Sequence, residues 1–316
     1  MPRKVQELQD DALKLLCVEG LGGKTLAAIV RRAGGLDLAA EAVFSGEVNT
    51  WLPNGAGNVL KERMERMEID GMRWSADAID ASIVTVMDDD FPQLLYPLPS
   101  CPAILWYRGN LNCVTGAAVA IVGSRRCTAY GIGQTNLFSS EIAQSDITII
   151  SGGARGIDAA SHRSALRHQG KTVAILGSGL SVLYPPEHES LFNTIIAEGG
   201  VVISEFPCNR PPQPAYFPRR NRIVSGLSST VLVIEAARRS GALITARIAV
   251  EEHGRHAFAV PGRIGDTASE GCLRCILDGW LELALEPSRV IEEATQAWKR
   301  LSSTFDEVIN TCEELQ

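Results

Sequence analysis

No apolar run in this 316-residue chain approaches the roughly 18 residues of a membrane-spanning helix. Acidic residues enter "MPRKVQELQDDALKLL" too early for a secretory signal. Cysteines at 17, 101, 113, 127, 208, 272, 275 and 312 are scattered rather than gathered into a disulfide framework, which suggests reduced thiols. These features lead us to expect a cytoplasmic protein with no membrane association. There is no internal repeat and no low-complexity tract. The 45% hydrophobic and 21% charged composition is that of a globular chain.

Catalytic signatures are also missing. There is no G-x-S-x-G elbow, no pair of carboxylates at a plausible turn, and no histidine with an evident orienting partner. "SGGARG" meets the dinucleotide fingerprint only if Ser151 replaces its first glycine, and no acid stands about 20 residues on to hold a ribose. "GLGGKT" has Val18 where a P-loop needs glycine, and a helical pattern precedes it instead of a strand. It reads better as the turn of a helix–hairpin–helix, whose N–H groups either meet DNA phosphates or simply pack. His253 and His256 with Cys272 and Cys275 could supply four zinc ligands, yet nothing in the sequence brings the two pairs together. Neither a metal nor an organic cofactor is expected.

Lysine is absent from one informative stretch. Between Phe206 and Arg247 stand seven arginines and a single acid, Glu235, a local charge of +6 in a chain whose net charge is −7. An all-arginine set suits phosphate oxygens, because the guanidinium fork meets two at once. A solvated basic face is the plainer alternative.

Three regions follow one another. To about Arg73, apolar residues recur at three- and four-residue spacing, the pattern of helices. A proline-rich bridge, "SIVTVMDDDFPQLLYPLPSCPAILWYRGN", comes next, with a possible short strand at each end. From about Thr115, β-branched runs alternate with amphipathic segments: "AVAIVG", "ITIIS", "TVAILG", "VVISE", "TVLVIEA" and "HAFAVPG". That alternation predicts βαβ units around a parallel sheet. The turns after these strands, rich in Gly, Ser and Arg, would lie where such sheets bind ligands. Asp158, in the first turn of a predicted helix, reads as a dipole-stabilised acid. It would repel a phosphate unless Arg125 or Arg155 neutralised it.

The turns "VGSRRCTAYG", "SGGARGIDAASHRSAL", "TVAILGSGLSVLYPPEH", "SEFP", "FPRRNRIVSGLS", "VIEAARRSGALITARIAVEEHGRHAFAVPG" and "GCLRCILDG" together resemble the DNA-processing protein A (DprA/Smf) family, over about Phe91 to Gly279. The resemblance implies an α/β fold: an extended Rossmann-like parallel-sheet domain (76–282), preceded by a small all-helical, SAM-like, helix-hairpin-helix-containing domain (1–75). It implies a non-enzymatic protein that binds and protects single-stranded DNA. Such proteins help load the RecA recombinase onto strands held by single-strand-binding protein, in natural transformation. A homodimer through "EAARRSGALITARIAVEEHGRHAFAV" is also implied. The 34 residues after Glu282 lead us to expect a short helical tail (283–316) and no full winged-helix domain.

Carried onto this chain, the DNA-binding set is Gly123, Ser124, Arg125 and Arg126; Ser151, Gly152, Gly153, Arg155 and Gly156; Phe217, Arg219, Arg220, Asn221 and Arg222; and Ser240 and Gly241. Tyr216 and Phe217 would offer stacking platforms for bases. Leu273, Trp280 and Ser181 depart from the family pattern, which usually has Asn, Ala and Asp there. The alternative is a nucleotide-processing enzyme of the lysine-decarboxylase-like phosphoribohydrolase group. It would need a P-G-G-x-G-T-x-x-E signature, which "EAARRSGALITA" does not supply.

Overall fold

A computed structural model describes residues 3–53 and 55–313. The helical amino-terminal pattern gives α1 (Asp10–Cys17), α2 (Gly23–Ala33), α3 (Leu36–Ser45), α4 (Ala56–Glu65) and α5 (Asp70–Asp77). Their spacing places Leu13, Leu16, Leu26, Val43 and Met64 inside. The proline-rich bridge then supplies β1 (Ser82–Thr85) and β2 (Ile104–Gly109), one strand at each end as expected.

The alternating region follows as β3 (Ala118–Val122), α6 (Ala129–Gln144), β4 (Thr148–Ser151), α7 (Ile157–Arg167), β5 (Thr172–Leu176), α8 (Glu189–Ala197) and β6 (Val201–Ser204). After these come α9 (Tyr216–Gly226), β7 (Thr230–Val233), α10 (Gly241–Glu251), β8 (His256–Ala259), α11 (Glu270–Leu277), β9 (Glu282–Leu283) and α12 (Pro287–Glu313). Among the described residues these nine strands form one sheet in the order β1-β2-β6-β5-β4-β3-β7-β8-β9.

From β6 to β9 every pairing is parallel, and β1 and β2 extend the β6 edge antiparallel. The sheet is therefore mixed, because the bridge joins it directly instead of crossing over through a helix. In β3, Ala118, Ala120 and Val122 join one apolar cluster while Val119 and Ile121 join another. A strand buried on both faces reads as a continuous apolar run, which is why β3 to β7 were visible in the sequence.

The first cluster runs without a break from Leu13 and Leu26 through Leu105 and Trp106 to Ile175 and Val202, so the amino-terminal helices share their core with the sheet. Val290 and Ala294 of α12 belong to the second cluster, beside Val119, Phe138 and Leu232. The carboxy-terminal helix thus covers a sheet face.

Candidate functional site

Strand β3 lies between β4 and β7: the chain runs from β3 to β4 and on to β6 on one side, then crosses back through α9 to β7 on the other. Such a reversal opens a crevice beyond the strands' carboxyl ends. Here it holds a cavity of about 710 Å³. Gly123, Ser124, Arg125 and Arg126 after β3 and Gly152 after β4 line it on one side. Phe217, Arg220 and Asn221 of α9, with Ser240 and Gly241 at the start of α10, line it on the other. A smaller recess beside it adds Arg155, with Tyr184 and Pro185 from the turn after β5.

Five residues expected at the site line neither space: Ser151, Gly153, Gly156, Arg219 and Arg222. Each has a structural occupation. The buried Ser151 hydroxyl donates to the Ile121 carbonyl at 2.6 Å. Gly153 leaves room for Phe192, 2.7 Å from where a Cβ would stand. Gly156, at φ +75°, would put a Cβ 2.2 Å from the Ser124 carbonyl oxygen, which accepts from the Ile157 N–H at 3.2 Å. This close approach locks the turn after β4 onto the turn after β3. Arg219 and Arg222 both bond the nearly buried Glu205, Arg219 at 3.0 Å.

The +6 segment is largely compensated in space. Besides the Glu205 pairs, Arg210 faces Glu19 at 3.9 Å, Arg238 faces Glu270 at 3.5 Å and Arg247 faces Glu251 at 3.6 Å. Arg220 is 4% exposed and donates from Nη1 to the carbonyls of Gly152 and Ile175. It is therefore a strut between strand ends. Burial pushes its pKa down to about 10, against the opposing pull of Asp158.

Asp158 accepts from the Ala154 N–H at 3.3 Å beneath the cavity. Burial raises its pKa, while the Arg220 and Arg125 charges and backbone donors lower it. Its neutralising partners are thus Arg220 first and Arg125 second. Arg155 instead bonds Glu187, whose carboxyl that contact holds below its ordinary range.

Three exposed arginines of the cavity wall, Arg125, Arg126 and Arg239, have no ion-pair or side-chain hydrogen-bond partner among the described residues. Arg125 rests 5.1 Å above the Phe217 ring, and Phe217 meets Tyr184 at 5.6 Å between centroids. Tyr216, expected as a platform, is core: it stacks on Phe206 at 4.0 Å and its hydroxyl donates to Glu19 at 3.1 Å. One helical step, about 100°, separates it from Phe217, enough to put the two rings on different faces of α9. Arg239 and Tyr184 escaped the sequence reading of the site. Their only signal was their position in turns at strand carboxyl ends.

Glu235, Asp158 and His253 are each engaged inside the fold. Glu235 is 1% exposed and accepts from the Thr128 N–H at 2.8 Å and hydroxyl at 2.7 Å, anchoring the start of α6. Asp158, the sole acid lining the cavity among the described residues, is 6% exposed. A phosphoribohydrolase would need a carboxylate open to its substrate. His253 bonds the Ser225 hydroxyl at 2.8 Å. No group of three or more possible metal ligands occurs among the described residues. Leu273, Trp280 and Ser181 lie away from the cavity. Trp280 carries Arg247 at 5.6 Å, and the Ser181 hydroxyl donates to the Cys208 carbonyl at 2.6 Å.

Comparison with known proteins bears on this arrangement. The sequence profile of the family described as DNA recombination-mediator protein A matches residues 82–295. The chain is 44% identical to Protein Smf of Escherichia coli (strain K12) over 202 residues, 64% of this chain and 54% of that protein. It is 39% identical to the DNA processing protein DprA of Streptococcus pneumoniae (strain ATCC BAA-255 / R6) over 217 residues, 68% of this chain and 76% of the relative. It spans about half the length of the Smf proteins of Escherichia coli and Synechocystis sp..

The X-ray structure of DprA from Streptococcus pneumoniae superimposes with a TM-score of 0.73 at 30% identity, covering 90% of this chain and 98% of that one. A structure of DNA processing protein A from Helicobacter pylori, described for its single-stranded DNA binding mode, gives a TM-score of 0.61 at 26% identity, covering 70% and 98%. With its mixed sheet, its helical amino-terminal region and a profile match over most of its length, this chain belongs to the DNA recombination-mediator protein A family.

Proposed function

We propose that the chain binds single-stranded DNA along the crevice at the strands' carboxyl ends. The observation that carries this reading is the trio Arg125, Arg126 and Arg239, unpaired guanidinium groups around one cavity with no exposed carboxylate among its described lining. A row of phosphates suits that arrangement better than one compact ligand. Phe217 supplies a ring on which an unpaired base can stack, worth about 1–3 kcal/mol. In a duplex the base faces are already occupied, so single strands are preferred. The single-stranded DNA binding named for the Helicobacter pylori relative supports the same reading.

The protein then protects single strands and helps load RecA where single-strand-binding protein is bound, in the cytoplasm during natural transformation, with no chemistry of its own. It does so as a homodimer. The segment expected to mate spends Ala242, Ala246, Ala249 and Phe258 inside the chain and leaves Ile244 exposed.

Fluorescence anisotropy with labelled dT oligomers, a duplex control and a salt series tests the binding. Arg125→Ala and Arg239→Ala are better probes than Arg220→Ala, which would remove a buried strut. Salt-sensitive binding of single strands that weakens in both variants supports the reading. No binding at low salt sinks it. The RecA step is checked by recombinase assembly on strands coated with single-strand-binding protein, which Arg125→Ala should slow.

A further inference from the structure

The turn after β5 straps the turn after β4 at three points. The His188 imidazole Nδ1 bonds the Gly153 carbonyl at 3.0 Å, and His188 is buried. The Tyr184 ring lies under the Arg155 guanidinium at 6.0 Å. Glu187, one residue before His188, accepts from Arg155 Nε. The first contact is internal and fixed. The last joins two side chains that are each about half exposed, Arg155 at 50% and Glu187 at 49%. Arg155 borders the recess that also holds Arg125 and Phe217. Its charge therefore sits at the rim of the proposed strand path, already occupied by a carboxylate.

We propose that Glu187 is an internal competitor for the DNA backbone, which keeps Arg155 in reserve until a phosphate displaces its carboxylate. This rests on the single-strand reading and deepens it. Arg125, Arg126 and Arg239 are open to the first phosphates, whereas Arg155 is engaged only by a strand that continues past Phe217 toward Tyr184. An exposed ion pair of this kind holds weakly and is screened by salt, so a phosphate oxygen can exchange for it. Holding Arg155 over Tyr184 also keeps its fork aimed along the recess. The exchange makes and breaks only ionic hydrogen bonds: Glu187 turns to solvent as the phosphate takes its place. The cost of that exchange sets how far along the strand the protein grips.

The test compares wild type, Glu187→Gln, Arg155→Gln and the double variant in anisotropy titrations with a labelled dT oligomer over a salt series, with Arg125→Ala alongside. Thermal melting controls for folding. Glu187→Gln should bind about two- to fivefold more tightly, the range an exposed ion pair can contribute. Its salt dependence should steepen by about 0.7 in log–log slope, the increment for one more phosphate on a single strand. Arg155→Gln should weaken binding modestly, and the double variant should match it instead of showing the gain. Unchanged or weaker binding by Glu187→Gln overturns the proposal. So does a gain that persists without Arg155, since that would reflect net charge alone. If wild type binds no oligomer at low salt, the single-strand reading itself falls, and Arg125→Ala will then show no difference either.

Discussion

Two glycine turns of this chain, Gly20–Lys24 and Ser151–Gly156, use similar residues to opposite ends. Both lead into a helix, and both suggest a phosphate cradle by composition. In the first, the Gly23 N–H donates to the Cys101 carbonyl at 2.8 Å, and a Cβ there would stand 2.7 Å from the Pro102 carbonyl oxygen. The Lys24 ammonium donates to the Pro97 carbonyl at 3.0 Å. The hairpin thus spends its donors on the proline-rich bridge and fastens the amino-terminal helices to the sheet. In the second, Gly156 joins two strand-end turns and the Ala154 N–H donates to Asp158, yet Gly152 and Arg155 border the cavity and its recess. What separates a packing turn from a candidate ligand turn is what its residues border: the bridge in one, the crevice in the other.

The most severe way to break this contrast is Gly156→Val. A side chain there meets the Ser124 carbonyl at 2.2 Å in a backbone conformation that favours glycine. Strain of about 1–3 kcal/mol is expected before the clash is counted, with a lower melting temperature and loss of oligonucleotide binding.

Acid should separate the two regions next. His162 on α7 is fully buried, bonds Thr172 Oγ1 at 2.7 Å, and burial pushes its pKa down to about 3. No histidine occurs before residue 162. As pH falls below the ordinary histidine value of 6.5, the unfolded chain takes up a proton that the folded chain refuses until about 3. Stability is therefore lost through that window, by up to about 1.4 kcal/mol per pH unit for one such group. His253, pushed down to about 4 by burial, adds to the loss in the same direction. Hydrogen exchange near pH 5 should show α7 and β5 loosening before α1 and α2.

Arg125→Ala comes third, with an expected three- to tenfold loss of single-strand affinity, roughly the 1 kcal/mol scale of an exposed charge pair. Its salt slope should fall by about 0.7 with no change in melting temperature. Lys24→Ala is the smallest. It should cost about 0.5–1 kcal/mol of stability for the lost bond and leave affinity within twofold. A large loss of affinity with unchanged melting would return the hairpin to the DNA-binding surface.

Much of the fold was legible in the sequence because β3 to β8 are short apolar runs bounded by Gly, Ser and Pro, and the amino-terminal helices have the right period. β9 was not legible: Glu282 and Leu283 are two exposed residues held by pairing to β8, with no pattern to announce them. The cavity's location was readable from the turns after β3 and β4. The state of its charges was not. Glu205 lies 14 and 17 residues from Arg219 and Arg222, and Glu187 lies 32 from Arg155, so their neutralising contacts exist only in three dimensions. Tyr216 and Phe217 look alike in sequence and are told apart only by the face of α9 they occupy.

The cavity and its side recess are lined by arginine and by no lysine. The chain's six lysines, at 4, 14, 24, 61, 171 and 299, sit elsewhere. Lysine-directed chemistry therefore has no handle among the described residues of the crevice. Acetylation cannot switch off its positive charge, and coupling the protein through its lysine amines to a sensor surface or a fluorophore leaves the crevice unmodified.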